Sequence, residues 1–165
     1  MRRPTAAAGS AAFFAVAPGV VAGLVPWLLT GWHGASWSTP VRVVGGVLLA
    51  AGAVVLVQSF VRFVVEGRGT PAPIAPTERL VVGGLYRHVR NPMYVAVVAA
   101  IVGQALLLGR VVLLVYAGIV WATTALFVRA YEEPTLSRRF GASYDAYRRA
   151  VPAWLPRIRP WRPDD

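Results

Sequence analysis

The sequence predicts an all-α integral membrane protein, with about four transmembrane helices and a C-terminal amphipathic helix on the cytoplasmic side. Three observations predict it. The 165 residues are 56% hydrophobic, with a mean hydropathy of +0.55, so a soluble fold would lack the polar surface to cover its helices. Four long, nearly uncharged runs lie at about 11–30, 43–65, 92–109 and 111–128, close to the roughly 20 apolar residues that cross a bilayer. The charge is also lopsided. All 17 basic residues are arginine, and threading the chain through four spans puts fifteen on one side and only Arg42 and Arg110 on the other. That is the positive-inside pattern, which places both termini and the 66–91 loop in the cytoplasm.

The elements follow in order, within a single membrane domain, 1–165. Arg2-Arg3 and the first run match the opening of a signal peptide. The run is long, however, Pro18 and Pro26 interrupt it, and Trp32-His33-Gly34-Ala35-Ser36 is a poor cleavage site, so an uncleaved first helix is the expectation. Residues 31–40 form a short outer loop, with Trp27, Trp32 and Trp37 suited to an interfacial belt. Gly45, Gly46 and Gly52 in the second helix allow another helix to approach closely.

Residues 66–94 read as a cytoplasmic loop and the start of helix three. Prolines at 71, 73 and 76 and the apolar Leu80-Val81-Val82 favour a packed, extended loop, and Gly83-Gly84 permits a tight turn. Asn91-Pro92 marks a helix start: Asn is a strong N-cap and Pro suits the first helical position. Helix four ends near Arg129–Glu133, and Pro134 is expected to open a further helix. There Leu136, Phe140, Tyr144, Tyr147 and Val151 recur at helical spacing. This stripe is too polar around its other faces to span, so it lies at the membrane interface or folds back over the loop. The remainder of the 129–158 segment, from Val151, is proline-punctuated and not helical.

The residue inventory excludes much chemistry. With no cysteine there is no disulfide, thiolate metal site or cysteine nucleophile. His33 and His88 are the two histidines, without metal-ligand spacing, so no metal is expected. The absence of lysine excludes a Schiff base. The net charge of +10 is distributed for anionic membrane lipid and not for nucleic acid.

What remains clusters at helix ends. Glu132-Glu133 adjoins a helix end that can face the Gly84–Tyr94 loop; the pair either caps the next helix near its N-terminus or accepts hydrogen bonds from a ligand's hydroxyl or ammonium groups. Arg87, His88, Arg90 and Arg129 either meet lipid headgroups or clamp a carboxylate or phosphate. Tyr86 and Tyr94 flank the start of helix three.

Taken together, Gly84-x-Tyr86-x-x-x-Arg90-Asn91-Pro92-x-Tyr94, then Glu132-Glu133-x-x-Leu136-x-x-x-Phe140-Gly141-x-x-Tyr144-x-x-Tyr147, then Val151-Pro152 and Leu155-Pro156, resemble the isoprenylcysteine carboxyl methyltransferase family, which includes the phospholipid N-methyltransferases. Upstream, Gly69-Thr70-Pro71-x-Pro73 and Leu80-Val81 match bacterial members, so the resemblance covers roughly 66–158. It implies an integral-membrane methyltransferase using S-adenosyl-L-methionine, with a lipophilic or small methyl acceptor entering from the lipid. By position it implies cofactor contacts from Glu78, Arg79, Leu80, Val81, Tyr86, His88, Asn91, Pro92, Met93, Tyr94, Glu132 and Glu133, and it places Arg129 at the acceptor as the catalytic residue. The family often has a His-Thr pair at 78–79 and more often His at 91. Asn91 cannot titrate, so the resemblance carries no proton role for that position. An NADPH-dependent reductase of the sterol-reductase type shares similar C-terminal motifs but is usually longer. A non-catalytic membrane subunit is the third reading, against which the intact Glu pair and Asn-Pro-x-Tyr segment stand.

Overall fold

A chain this poor in polar side chains must satisfy its backbone N–H and C=O groups internally, and each apolar run accordingly folds as a helix. The computed structural model describes residues 16–34, 37–67 and 80–162, with side chains for 63–67 excepted. Helix α1 spans Val16–Thr30 and α2 spans Thr39–Gly67. A 3-10 turn, Gly84–Arg87, precedes α3, Pro92–Leu108. Then come α4, Val111–Phe127, α5, Glu133–Phe140, and α6, Ala142–Ala150. Among the described residues two stretches, Thr39–Arg62 and Val111–Phe140, are long and apolar enough to cross a membrane; α1 and α3 are apolar but shorter.

Two of the three glycines expected to permit close approach do so. A Cβ on Gly45 would lie 2.5 Å from the Leu107 nitrogen, and one on Gly52 would lie 2.9 Å from the Ala96 carbonyl oxygen. Gly103 of α3 reciprocates, with Leu49 N 2.6 Å from its virtual Cβ. Helices α2 and α3 therefore meet backbone to backbone, the packing available only to small residues. Gly46 does not take part; its nearest neighbour is the far end of Leu107, at 3.9 Å. Ile101, Ala105, Leu113 and Ala117 form a small core between α3 and α4. Facing outward are Val47, Val54 and Val57 of α2 and Val115, Ile119 and Leu126 of α4, each more than half exposed. An apolar outer surface of this extent suits lipid, not water.

The helices also carry the same device twice. A π turn, Val20–Leu24, ends two residues before Pro26, and another, Val128–Glu132, ends two residues before Pro134. Proline lacks the N–H and crowds the carbonyl four residues back; a widened turn lets the helix continue past it. In α1 the displaced carbonyls find side-chain partners: Gln104 donates to the Ala22 oxygen at 2.6 Å and Tyr116 to the Val21 oxygen at 2.9 Å. These bonds tie α1 to α3 and α4, and they explain a glutamine that is 93% buried in an apolar bundle.

This corrects two expectations. Pro134 does not open a new helix; Val111–Phe140 is one continuous helical stretch. Glu132 and Glu133 are consequently not caps, since no helix N-terminus lies there. The break falls instead at Gly141, at φ +51° and ψ −130°. The single amphipathic helix anticipated over Leu136–Val151 is thus split between α5, the end of that continuous stretch, and the short helix α6, with Val151 already extended. Its stripe survives the break. Tyr144, Tyr147 and Val151 are buried, with Leu136, Phe140, Leu80 and Val82 packed against them. Of the two placements open to the stripe, the observed one folds it back over the loop.

Candidate functional site

The site is built where the loop before α3 meets the junction of α4 and α5. Gly84, at φ +57°, allows the chain to turn tightly against Arg62 of α2. The 3-10 turn then delivers Tyr86 into the protein, only 6% exposed, where its carbonyl accepts a 2.6 Å hydrogen bond from the Tyr147 hydroxyl. Burial pushes the Tyr147 phenol well above its ordinary range, so it stays a donor.

Arg90 is the hub. Its guanidinium donates to Glu133 Oε1 at 2.6 Å and to the Tyr144 hydroxyl at 3.2 Å, while Nε donates to the Val151 carbonyl at 2.9 Å. Arg148 reaches the other Glu133 oxygen at 3.2 Å. The Arg90 and Glu133 side chains are only 12% and 11% exposed, whereas that of Arg148 is half exposed. A carboxylate this buried is held only because two cations and their hydrogen bonds neutralise it. Burial also raises the Tyr144 phenol, opposed by the adjacent Arg90. One turn along α3, Tyr94 donates to Glu132 Oε1 at 2.7 Å. The two adjacent carboxylates are thus held by two residues of one short loop-to-helix segment, 38 and 43 positions away in sequence.

The C-terminal tail straps this segment down. The Arg90 amide donates to Pro152, Arg157 to His88 and Trp161 to Arg87, each close to 3 Å. His88 Nδ1 lies 2.8 Å from the Arg157 carbonyl, which makes Nδ1 the protonated nitrogen. Asn91 takes the N-cap position of α3 as expected, but its side chain does not cap; Nδ2 donates to the Ala153 carbonyl at 3.1 Å.

One open hollow borders the ion-pair network and another borders the strapped loop. The first, of about 480 Å³, is lined by Arg129, Glu133, Pro134, Ser137, Arg138 and Arg148. Arg129 and Glu133 thus share a face, as their four-residue spacing anticipates. The other, of about 410 Å³, lies among Gln58, Arg62, Gly83, Gly84, Leu85, Arg87, His88 and Pro160. Of the residues predicted to touch a cofactor, His88 and Glu133 border hollows. Leu80, Val81, Tyr86 and Pro92 are committed to packing, and Asn91, Tyr94 and Glu132 to internal hydrogen bonds; Met93 is part-buried in the first turn of α3. Glu78 and Arg79 lie outside the described residues. Among the described residues no group of three potential metal ligands comes together.

Sequence reasoning set Arg90 among the basic candidates but did not pair it with Glu133. It held Tyr144 and the tail within the family motifs, in a 129–158 segment expected to serve cofactor and substrate, without anticipating that Tyr144 and Arg148 meet this pair or that the tail hydrogen-bonds to residues 87–91. One signal was available for the Arg90–Glu133 pairing. Arg90 directly precedes an Asn-Pro helix start within an apolar, packed segment, and a guanidinium that is buried there needs a carboxylate.

Residues 41–143 match the family model described as phospholipid methyltransferase. This match spans more than half of the chain and contains both halves of the constellation, the Tyr86–Tyr94 segment and Glu132-Glu133. The chain belongs to the phospholipid methyltransferase family. It is also similar to the protein-S-isoprenylcysteine O-methyltransferase of Schizosaccharomyces pombe, 36% identical over 80 residues, which are 48% of this chain and 34% of that one. The matched region is thus about a third of the length of that curated relative. No solved structure matches. Within the matched region the Arg90–Glu133 and Tyr94–Glu132 bonds bring together two segments far apart in sequence.

Proposed function

We propose that the protein is an S-adenosyl-L-methionine-dependent methyltransferase of the cytoplasmic membrane, with four spans, both termini cytoplasmic, and a lipophilic or small methyl acceptor. The observation that carries the proposal is the joining of the family's two motifs through the Arg90–Glu133 and Tyr94–Glu132 contacts, beside a hollow that has room for a ligand of nucleoside size.

The groups around that hollow fit the cofactor's chemistry. Glu133 already accepts from Arg90 and Arg148, yet each carboxylate oxygen has a second lone pair for a hydroxyl or ammonium donor. Arg138 and Arg148 can meet a carboxylate, and the Ser137 hydroxyl can accept or donate. The cofactor brings an already activated sulfonium methyl, so the protein needs to position and shield more than to supply strong acid or base. In this reading Arg129, exposed on the same face, orients an anionic or carbonyl acceptor.

The test is calorimetric titration of the detergent-purified protein with S-adenosylhomocysteine and, separately, NADPH. Binding of the first alone is the expected result; binding of NADPH alone identifies a reductase, and binding of neither removes the enzymatic reading. Glu133→Gln should weaken S-adenosylhomocysteine by about 1–3 kcal/mol, the range for one charged hydrogen bond. Unchanged affinity in folded variant protein takes Glu133 out of the site.

A further inference from the structure

The tail after α6 has an unusual combination of properties. Its backbone is pinned, by the Arg90–Pro152, His88–Arg157 and Arg87–Trp161 hydrogen bonds, and prolines at 152, 156 and 160 restrict it further. Yet Leu155 is 81% exposed and Ile158 is 95% exposed. An ordered segment gains nothing by holding such side chains in water. The neighbours suggest where they belong. Trp154 meets Trp121 of α4 edge to face, with ring centroids 6.3 Å apart. Trp121 lies on the same helix as outward-facing Val115, Ile119 and Leu126, all more than half exposed. The tail therefore continues the apolar surface of a membrane-length helix. Arg159 and Arg162, both exposed, follow within the next eight residues.

We infer that the tail is a membrane-seated strap: Trp154, Leu155 and Ile158 insert into the bilayer surface beside α4, and Arg159 and Arg162 meet anionic lipid phosphates. The arrangement of apolar tips backed by arginine is that of an interfacial anchor, built here from proline-stiffened coil and not from a helix. Apolar continuity with α4 and the flanking positive charge both select the lipid surface over a second protein as the occupant. The strap also holds the candidate site, since its backbone partners are Arg87, His88 and Arg90. Lipid contact is thereby coupled directly to the loop that carries Arg90.

The chain has no cysteine, so single cysteines report cleanly. Ile158→Cys, Val115→Cys and Ser143→Cys proteins are reconstituted in vesicles of phosphatidylcholine and phosphatidylglycerol. Each is reacted with a charged, water-soluble thiosulfonate present on both sides of the membrane. Val115 faces outward on α4, and Ser143 is exposed on α6. Ile158→Cys should react about tenfold or more slowly than Ser143→Cys, as Val115→Cys does, because an interfacial anchor sits below the headgroups. Replacing Arg159 and Arg162 with glutamine, or omitting phosphatidylglycerol, should speed the Ile158→Cys reaction. A rate equal to that of Ser143→Cys in anionic vesicles overturns the inference. Because the readout is accessibility and not catalysis, the result is independent of whether the protein transfers methyl groups.

Discussion

Arg90 and Glu133 sit 2.6 Å apart, nearly buried, and 43 residues apart in sequence. Arg90 immediately precedes the start of α3, and Glu133 follows the π turn after α4. One ion pair therefore ties the start of α3 to the far end of the Val111–Phe140 helical stretch. Its strength depends on completeness, because each charge is tolerable only beside the other.

Removing Arg90 should accordingly be severe. Arg90→Leu leaves Glu133 facing a single, half-exposed arginine and should cost about 3 kcal/mol, near the low end for breaking a buried pair. Thermal unfolding in detergent reads this as a lowered midpoint. The double variant Arg90→Leu/Glu133→Leu should recover part of the loss, the sign of direct coupling. A double variant whose loss equals the sum of the two single losses would mean the pair is not coupled.

Arg129 gives a kinetic prediction. If it orients the acceptor, Arg129→Ala keeps S-adenosylhomocysteine affinity and lowers turnover by about two orders of magnitude, as loss of a transition-state contact does. If it only holds lipid phosphate, turnover stays near normal. The assay follows a screen of thiols, amines and lipid carboxylates with labelled cofactor.

The α2–α3 contact should tolerate no added atom. Gly103→Ala drives its Cβ to 2.6 Å from the Leu49 backbone nitrogen, so the helices must separate, at about 1–3 kcal/mol. Gly118→Ala in α4 meets nothing within 4 Å and should be neutral or stabilising by up to about 1 kcal/mol. Equal melting temperatures for the two variants would show that the helices are not held at this distance.

Ser38 and Ser143, both exposed in the structure, lie on opposite sides under the four-span topology. Each changed to cysteine in this cysteine-free chain should label from opposite faces of intact vesicles or cells. Labelling of both from one face removes the topology.

The helices were legible because their cause is local. Apolar runs of membrane length have one way to satisfy their backbone, and Asn91-Pro92 and Gly45 mark a start and a close contact through their own stereochemistry. Pro134 misled because the rule that proline begins a helix ignores a widened turn upstream, and nothing in Val128–Glu132 advertises one. Gly141 was hidden inside a stripe that kept its period across the break. The site was half legible. Glu132, Glu133 and Tyr94 stand out as polar groups at apolar ends, but which arginine meets which carboxylate is settled by packing. The tail was legible as part of the 129–158 segment but its strapping of the loop was not, since Pro152, Ala153 and Arg157 act there through main-chain oxygens and amides that almost any residue type supplies.

The unbroken run from Val111 to Phe140 has a mechanical consequence. Thirty residues of helix extend about 45 Å, well beyond a hydrocarbon layer of about 30 Å. Such a rod answers a change in bilayer thickness by tilting. Glu132 and Glu133 ride on it beyond the apolar portion, joined to the span through the Val128–Glu132 π turn. A thinner or thicker membrane therefore loads the Tyr94–Glu132 and Arg90–Glu133 bonds that tie this helix to α3, and lipid chain length becomes a dial on the strain they carry.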